Sequence, residues 1–194
     1  LGYSINWSIE GLLNEYTQPC TVIEYYKTKH VKPLENIERI IINGIEYEAF
    51  NTAGGLGTLA FSMEHVKSLN YKSLRYPGHC NLMLFLLREL KLNENLGKLK
   101  NILSNSILPN KEDKVVIYIS VKGLSKEEEL IEKIFYKVIG NDDKFSAIQI
   151  ATAHSTAAVI ELMVKNELPN NKFVLQENID IDKFYNTEFG GVFK

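Results

Sequence analysis

At 194 residues, 45% apolar by type and 24% charged, the chain suits one domain and is long enough to bury a core. A net charge of −2, from 22 basic and 24 acidic side chains, with no basic face interleaved with aromatics, argues against a nucleic-acid partner. Cys20 and Cys80 are too few for a disulfide scaffold or a four-cysteine zinc site, and neither a signal peptide nor an apolar run approaching roughly 20 residues is read, so the expectation is a cytoplasmic protein with no membrane partner.

In chain order, residues 8–16 read as a short helix with Ser8 as N-cap and Ile9, Leu12 and Leu13 on one face, ended by Pro19. Residues 21–27 are β-branched and aromatic and read as a strand. A turn at 33–36 leads to strands at 38–42 and 45–50 around Asn43-Gly44, a pair suited to the two positive φ angles of a type I′ hairpin turn. The glycine-rich turn 51–57 is followed by an expected helix at 58–68 and a strand at 71–76. Apolar spacing predicts helices at 79–90 and 95–108. Alternation predicts a strand at 115–122. In residues 127–139 the glutamates and lysines suit a helix, while Ile134, Tyr136 and Val138 suit a strand; with Gly123 and Gly140 bounding the segment, the reading taken is a strand hairpin with 115–122. Residues 145–165 give the longest helix signal, 172–176 a last strand, and 180–185 a short helix or turn. There is no internal repeat. The order favours an α+β fold: a mixed, largely antiparallel sheet covered by helices.

Few motifs carry chemistry. Gly55-Leu56-Gly57-Thr58-Leu59-Ala60 fits the G-x-G-x-x-A form of a dinucleotide turn, whose glycine amides face a pyrophosphate. The preceding strand belongs to an antiparallel hairpin rather than a βαβ unit, and position 75 offers Arg where an acid would hold a ribose. The alternatives are a structural glycine turn or an anion-binding turn for a substrate carboxylate. Asn6-Trp7-Ser8 holds the single tryptophan at a helix start, either core or the wall of a polar ligand site. Arg75, Tyr76 and His79 cluster around Pro77-Gly78. An Arg there suits bidentate binding of a carboxylate or an ordinary ion pair. His154 lies in an apolar helix without triad partners. No metal-ligand spacing stands out, and no catalytic residue is assigned.

Three stretches together resemble the C-terminal domain of the saccharopine dehydrogenase (saccharopine reductase) family. They are Leu1-Gly2-Tyr3-Ser4-Ile5-Asn6-Trp7-Ser8-Ile9-Glu10-Gly11, Asn51-Thr52-Ala53-Gly54-Gly55-Leu56-Gly57-Thr58-Leu59 (similar to a bacterial branch), and Ser73-Leu74-Arg75-Tyr76-Pro77-Gly78-His79. The resemblance runs to about residue 190 and takes in the late helix from Phe145. It implies that residues 1–194 form one substrate-binding and dimerisation domain of a longer chain, an expectation matched by the start at Leu1 rather than Met. A separate Rossmann domain would bind NAD(P), and Gly55 and Gly57 become a structural or substrate-side turn.

The implied activity is oxidoreduction at the CH–NH bond of saccharopine in lysine metabolism, by a homodimer, with this chain inactive alone. The implied substrate-binding residues are Arg75 as a carboxylate clamp, Trp7 with Asn6 and Ser8 along the pocket wall, Tyr76, and Thr52, Gly54 and Gly55 in the nearby turn. Fungal members carry Ser-Trp-Ser-Pro-Arg-Gly where this chain has Asn6-Trp7-Ser8-Ile9-Glu10-Gly11. That charge reversal leaves open a carboxylated polyamine such as carboxynorspermidine as substrate, or a non-enzymatic dimerisation or ligand-binding module.

Overall fold

A computed structural model describes residues 3–110 and 112–194. The chain divides into two compact units, Leu1–Asn110 and Lys111–Lys194. Leu1 and Gly2, which open the first family-like stretch, lie outside the described residues. Every strand pairing among the described residues is antiparallel, and the strands form three small sheets. The fold is α+β.

The first unit opens with α1 (Ile9–Thr17), where the Ser8 hydroxyl accepts from Gly11 N–H as N-cap. Leu12, Leu13 and Tyr16 form its buried face. β1 (Cys20–Glu24) turns into β2 (Lys27–Val31). The expected strand at 21–27 therefore breaks at Tyr25-Tyr26. Both are left-handed, with φ of 52° and 64°, and make a hairpin turn from residues whose β propensity concealed it. β3 (Glu38–Ile42) and β4 (Ile45–Asn51) form the hairpin expected around Asn43 and Gly44, whose φ angles are 50° and 76°.

α2 (Leu59–Ser62) is far shorter than the helix expected at 58–68. Only Ala60 in it is buried and Phe61 points to solvent, so no apolar face supports further turns. β5 (Ser68–Leu69), not anticipated, pairs with β1, and β6 (Lys72–Arg75) pairs with β4. α3 (His79–Leu84) runs on as a π-helical turn at Phe85–Glu89, and α4 (Leu96–Ser106) is capped by Asn95. Leu12, Tyr16, Phe50, Met83, Leu87 and Leu99 belong to the core that these helices share with β4.

The second unit pairs β7 (Lys114–Leu124) with β8 (Leu130–Gly140), so the strand reading of residues 127–139 holds over the helical one. α5 (Ala147–Val164) begins at a capping box made by Ser146 and Gln149, and Asp113 accepts from the N–H groups of Ala147 and Ile148. Its apolar residues lie all round, yet only Ala147, Ile150, Ala158 and Leu162 are buried. By length and composition alone α5 is also long and apolar enough to cross a membrane. The expected strand at 172–176 does not form. Phe173 is exposed, no sheet edge accepts the segment, and a 3-10 turn at Gln176–Asn178 leads into α6 (Ile181–Tyr185).

Candidate functional site

The C-terminal end of α1 meets the glycine-rich turn after β4. The Ala53 N–H donates to the Glu15 carbonyl at 2.9 Å, which fixes helix and turn together. Between them opens a shallow cleft of about 570 Å³, lined by Trp7, Gly11, Glu15, Gly54, Gly55 and Tyr71 among others. That volume suits a small organic ligand.

The two aromatic walls stand on glycines. A Cβ added to Gly55 would lie 2.0 Å from the Tyr71 ring, and one at Gly11 would lie 2.7 Å from the Trp7 ring. Any larger residue at either position displaces its wall. Gly54 has φ of 91°, a left-handed bend that glycine adopts without strain. Thr52 sits beneath the turn, 2% exposed, with its hydroxyl 2.9 Å from that of Ser73 on β6. It shapes the cleft floor rather than lining it.

Glu15 is half-buried, and burial raises its pKa above the ordinary carboxylate value, against the opposing charge of Arg75. Its carboxylate makes no hydrogen bond or ion pair among the described residues.

Arg75 does not line this cleft. Its charge reaches Glu15 and Tyr71, but the guanidinium is built into an aromatic cluster. Nε donates to the Tyr16 hydroxyl at 3.1 Å, Nη1 donates to the Leu74 carbonyl at 2.8 Å, and the guanidinium carbon lies 5.4 Å from the Tyr3 ring centre. Tyr3 and Phe50 pack on His79, and the buried Tyr3 hydroxyl has no hydrogen-bond partner. Tyr76, the next residue, turns away to stack on Tyr47 at 5.5 Å.

Trp7, Gly54 and Gly55 thus come together at one cleft, with Thr52 below. Asn6 and Ser8 hold backbone instead. The Asn6 amide exchanges two hydrogen bonds with the backbone of Asn110, and Ser8 caps α1. Sequence reasoning missed Glu15, Tyr71 and Gly11. Trp7, Gly11 and Glu15 recur every four residues, one face of a helix, and that spacing was a usable signal. Tyr71 had none.

Residues 1–190 match the saccharopine dehydrogenase C-terminal domain family. The chain belongs to this family. Membership makes it a domain of an oxidoreductase-type protein and locates the cleft within the family's C-terminal domain. A second groove, of about 360 Å³, is lined by Leu12, His79, Leu82, Met83, Leu86 and Leu103. Tyr3 and Ser106 also line it, and it holds no carboxylate among the described residues, whereas the cleft at Trp7 carries that of Glu15.

NAD(P), the cofactor that the family implies, does not fit the Gly55-Leu56-Gly57 turn. The turn follows a strand of an antiparallel sheet and precedes a four-residue helix, and the Tyr71 ring already occupies the approach to Gly55. Among the described residues no group of three or more His, Cys, Asp or Glu could hold a metal ion.

Proposed function

We propose that this chain supplies the substrate-binding part of an NAD(P)-dependent oxidoreductase acting on the CH–NH bond of saccharopine in lysine metabolism. The observation that carries the reading is the cleft, which gathers Trp7, Gly54 and Gly55 from separate family-like stretches of a family member. In this reading NAD(P) is held by a separate nucleotide-binding domain, and the protein acts as a cytoplasmic homodimer.

Hydride transfer at a carbon–nitrogen bond needs no charged nucleophile from the protein. It needs the reacting carbon held in place and shielded from water. Trp7 and Tyr71 supply the shielding walls. Arg75 is assigned to a substrate carboxylate. Its support is the family-like stretch that carries it and the planar fork of the guanidinium, which Tyr16 and Leu74 hold behind the cleft rather than in its lining. A carboxylated polyamine such as carboxynorspermidine is the second reading, favoured by the presence of Glu15 in the cleft.

The test is a steady-state NAD(P)-coupled assay on the full-length protein with saccharopine and carboxynorspermidine. Turnover of saccharopine is expected. Turnover of the polyamine alone would move the protein to the second reading. Silence with both, from folded protein that binds NAD(P)H, would overturn the assignment.

A further inference from the structure

The cleft at Trp7 has the chemistry of a host for an organic cation. Its one charged lining residue is Glu15, and no Lys, Arg or His faces into it. The Glu15 carboxylate is half-buried without a hydrogen bond or ion pair among the described residues. Such a group is destabilising until a positive partner arrives. Arg75 offsets that charge only in part and through space, because its hydrogen bonds go to Tyr16 and Leu74.

Three further features favour positive charge. Glu15 lies in the last turn of α1, where no basic residue offsets the negative end of the helix dipole. Asn14 and Gln18, on the same helix end, line the cleft and offer amide oxygens as acceptors. Trp7 and Tyr71 are 37% and 38% exposed, so part of each ring is open to a ligand. An aromatic surface beside a carboxylate attracts an ammonium through the ring quadrupole. An anion in the same place would meet the Glu15 charge with no cation on the wall to offset it.

We propose that this cleft is an ammonium subsite, in which the Glu15 carboxylate pairs with an amine cation of the ligand between the Trp7 and Tyr71 walls. The inference rests on reading the cleft as the substrate-binding one, and it deepens that reading. It assigns Glu15 to an amine of the substrate and leaves its carboxylates to other groups. The ligand class is a small amino compound with a protonated primary or secondary amine.

Trp7 is the chain's single tryptophan, so its emission reports on the cleft directly. The chain is titrated with putrescine and n-butylamine, with butyrate and n-butanol as matched controls. The expected result is a saturable change in Trp7 emission with both amines and none with the controls. Glu15→Gln should weaken amine binding at least tenfold with the circular dichroism spectrum unchanged. Tyr71→Leu, which keeps the carboxylate and removes a wall, should weaken it severalfold. Equal amine affinity in Glu15→Gln would overturn the subsite, as would equal binding of butyrate, or a flat titration of folded chain.

The fate of the two readings separates in the full-length protein. Saccharopine turnover with kcat and KM untouched by Glu15→Gln would sink the ammonium subsite and leave the oxidoreductase reading standing. Glu15-dependent amine binding without any turnover would do the reverse.

Discussion

Tyr16 joins Arg75 to His79. Its hydroxyl accepts from Arg75 Nε at 3.1 Å and lies 3.0 Å from His79 Nε2. A guanidinium only donates, so the Tyr16 oxygen accepts from Arg75 and keeps its own proton for a second partner. One phenol thus pins α1, β6 and α3 together. Burial, with the Arg75 charge adding to it, lowers the His79 pKa from 6.5 to about 4.

That depression makes stability depend on pH. Between pH 6.5 and about 4 the unfolded chain binds a proton at His79 that the folded chain does not. Stability contributed by neutral His79 is fully present above that window and falls as the pH drops through it, by up to about 3 kcal/mol. Urea unfolding from pH 7 to pH 4 should show the decline, and His79→Gln should flatten it. An equal slope in the variant would place the acid sensitivity elsewhere.

Arg75→Lys tests the cluster and the proposed carboxylate contact together. A lysine offers no planar fork to hold Tyr16 and Leu74 at once. Loss of these bonds should cost about 1–3 kcal/mol in urea unfolding. In the full-length enzyme KM for saccharopine should rise at least tenfold. A stability loss with KM unchanged would make Arg75 a positioning residue for Tyr16 and His79 only.

Glu48 caps α3 from another element. Gly78, at the helix start, has φ of 98° and no side chain to cap with. The Glu48 carboxylate on β4, 2% exposed, accepts from Gly78 N–H at 2.9 Å and from Cys80 N–H at 2.5 Å. Glu48→Ala would strand both donors and should cost about 3 kcal/mol. Glu48→Gln, which keeps one acceptor oxygen, should cost less. Equal stability of all three proteins by urea titration would contradict the capping role.

Much of the fold was legible where the signal was local. Ser8 and Asn43-Gly44 announced a cap and a turn through their own chemistry, and the alternation at 115–122 announced β7. Tyr25-Tyr26 was misread because a hairpin turn was built from residues that favour strands. The segment 58–68 has helical spacing but nothing to bury it, a fact set by distant parts of the chain. The site divides in the same way. Trp7, Gly54 and Gly55 were found through family-like stretches, while Glu15 was visible only as a four-residue spacing from Trp7 and Gly11. Tyr71 reaches the cleft because β6 pairs with β4, which no local pattern encodes.

Gly55→Ala would set a methyl 2.0 Å from the Tyr71 ring. Tyr71 must swing out of the cleft or the turn must shift, at a cost of about 1–3 kcal/mol. Ligand binding at the cleft should fall with it. A crystal structure of the variant with Tyr71 unmoved, or unchanged stability and binding, would show that the close approach is not required.

The central claim is that saccharopine binds in the cleft between α1 and the glycine turn. Backbone and indole NMR shifts of the chain, followed during titration with saccharopine, test it directly. Saturable shifts centred on the Trp7 indole, Glu15, Gly54 and Gly55 are predicted. Saturable shifts confined to the groove at Leu82, Met83 and Leu86, with the cleft silent, would contradict it.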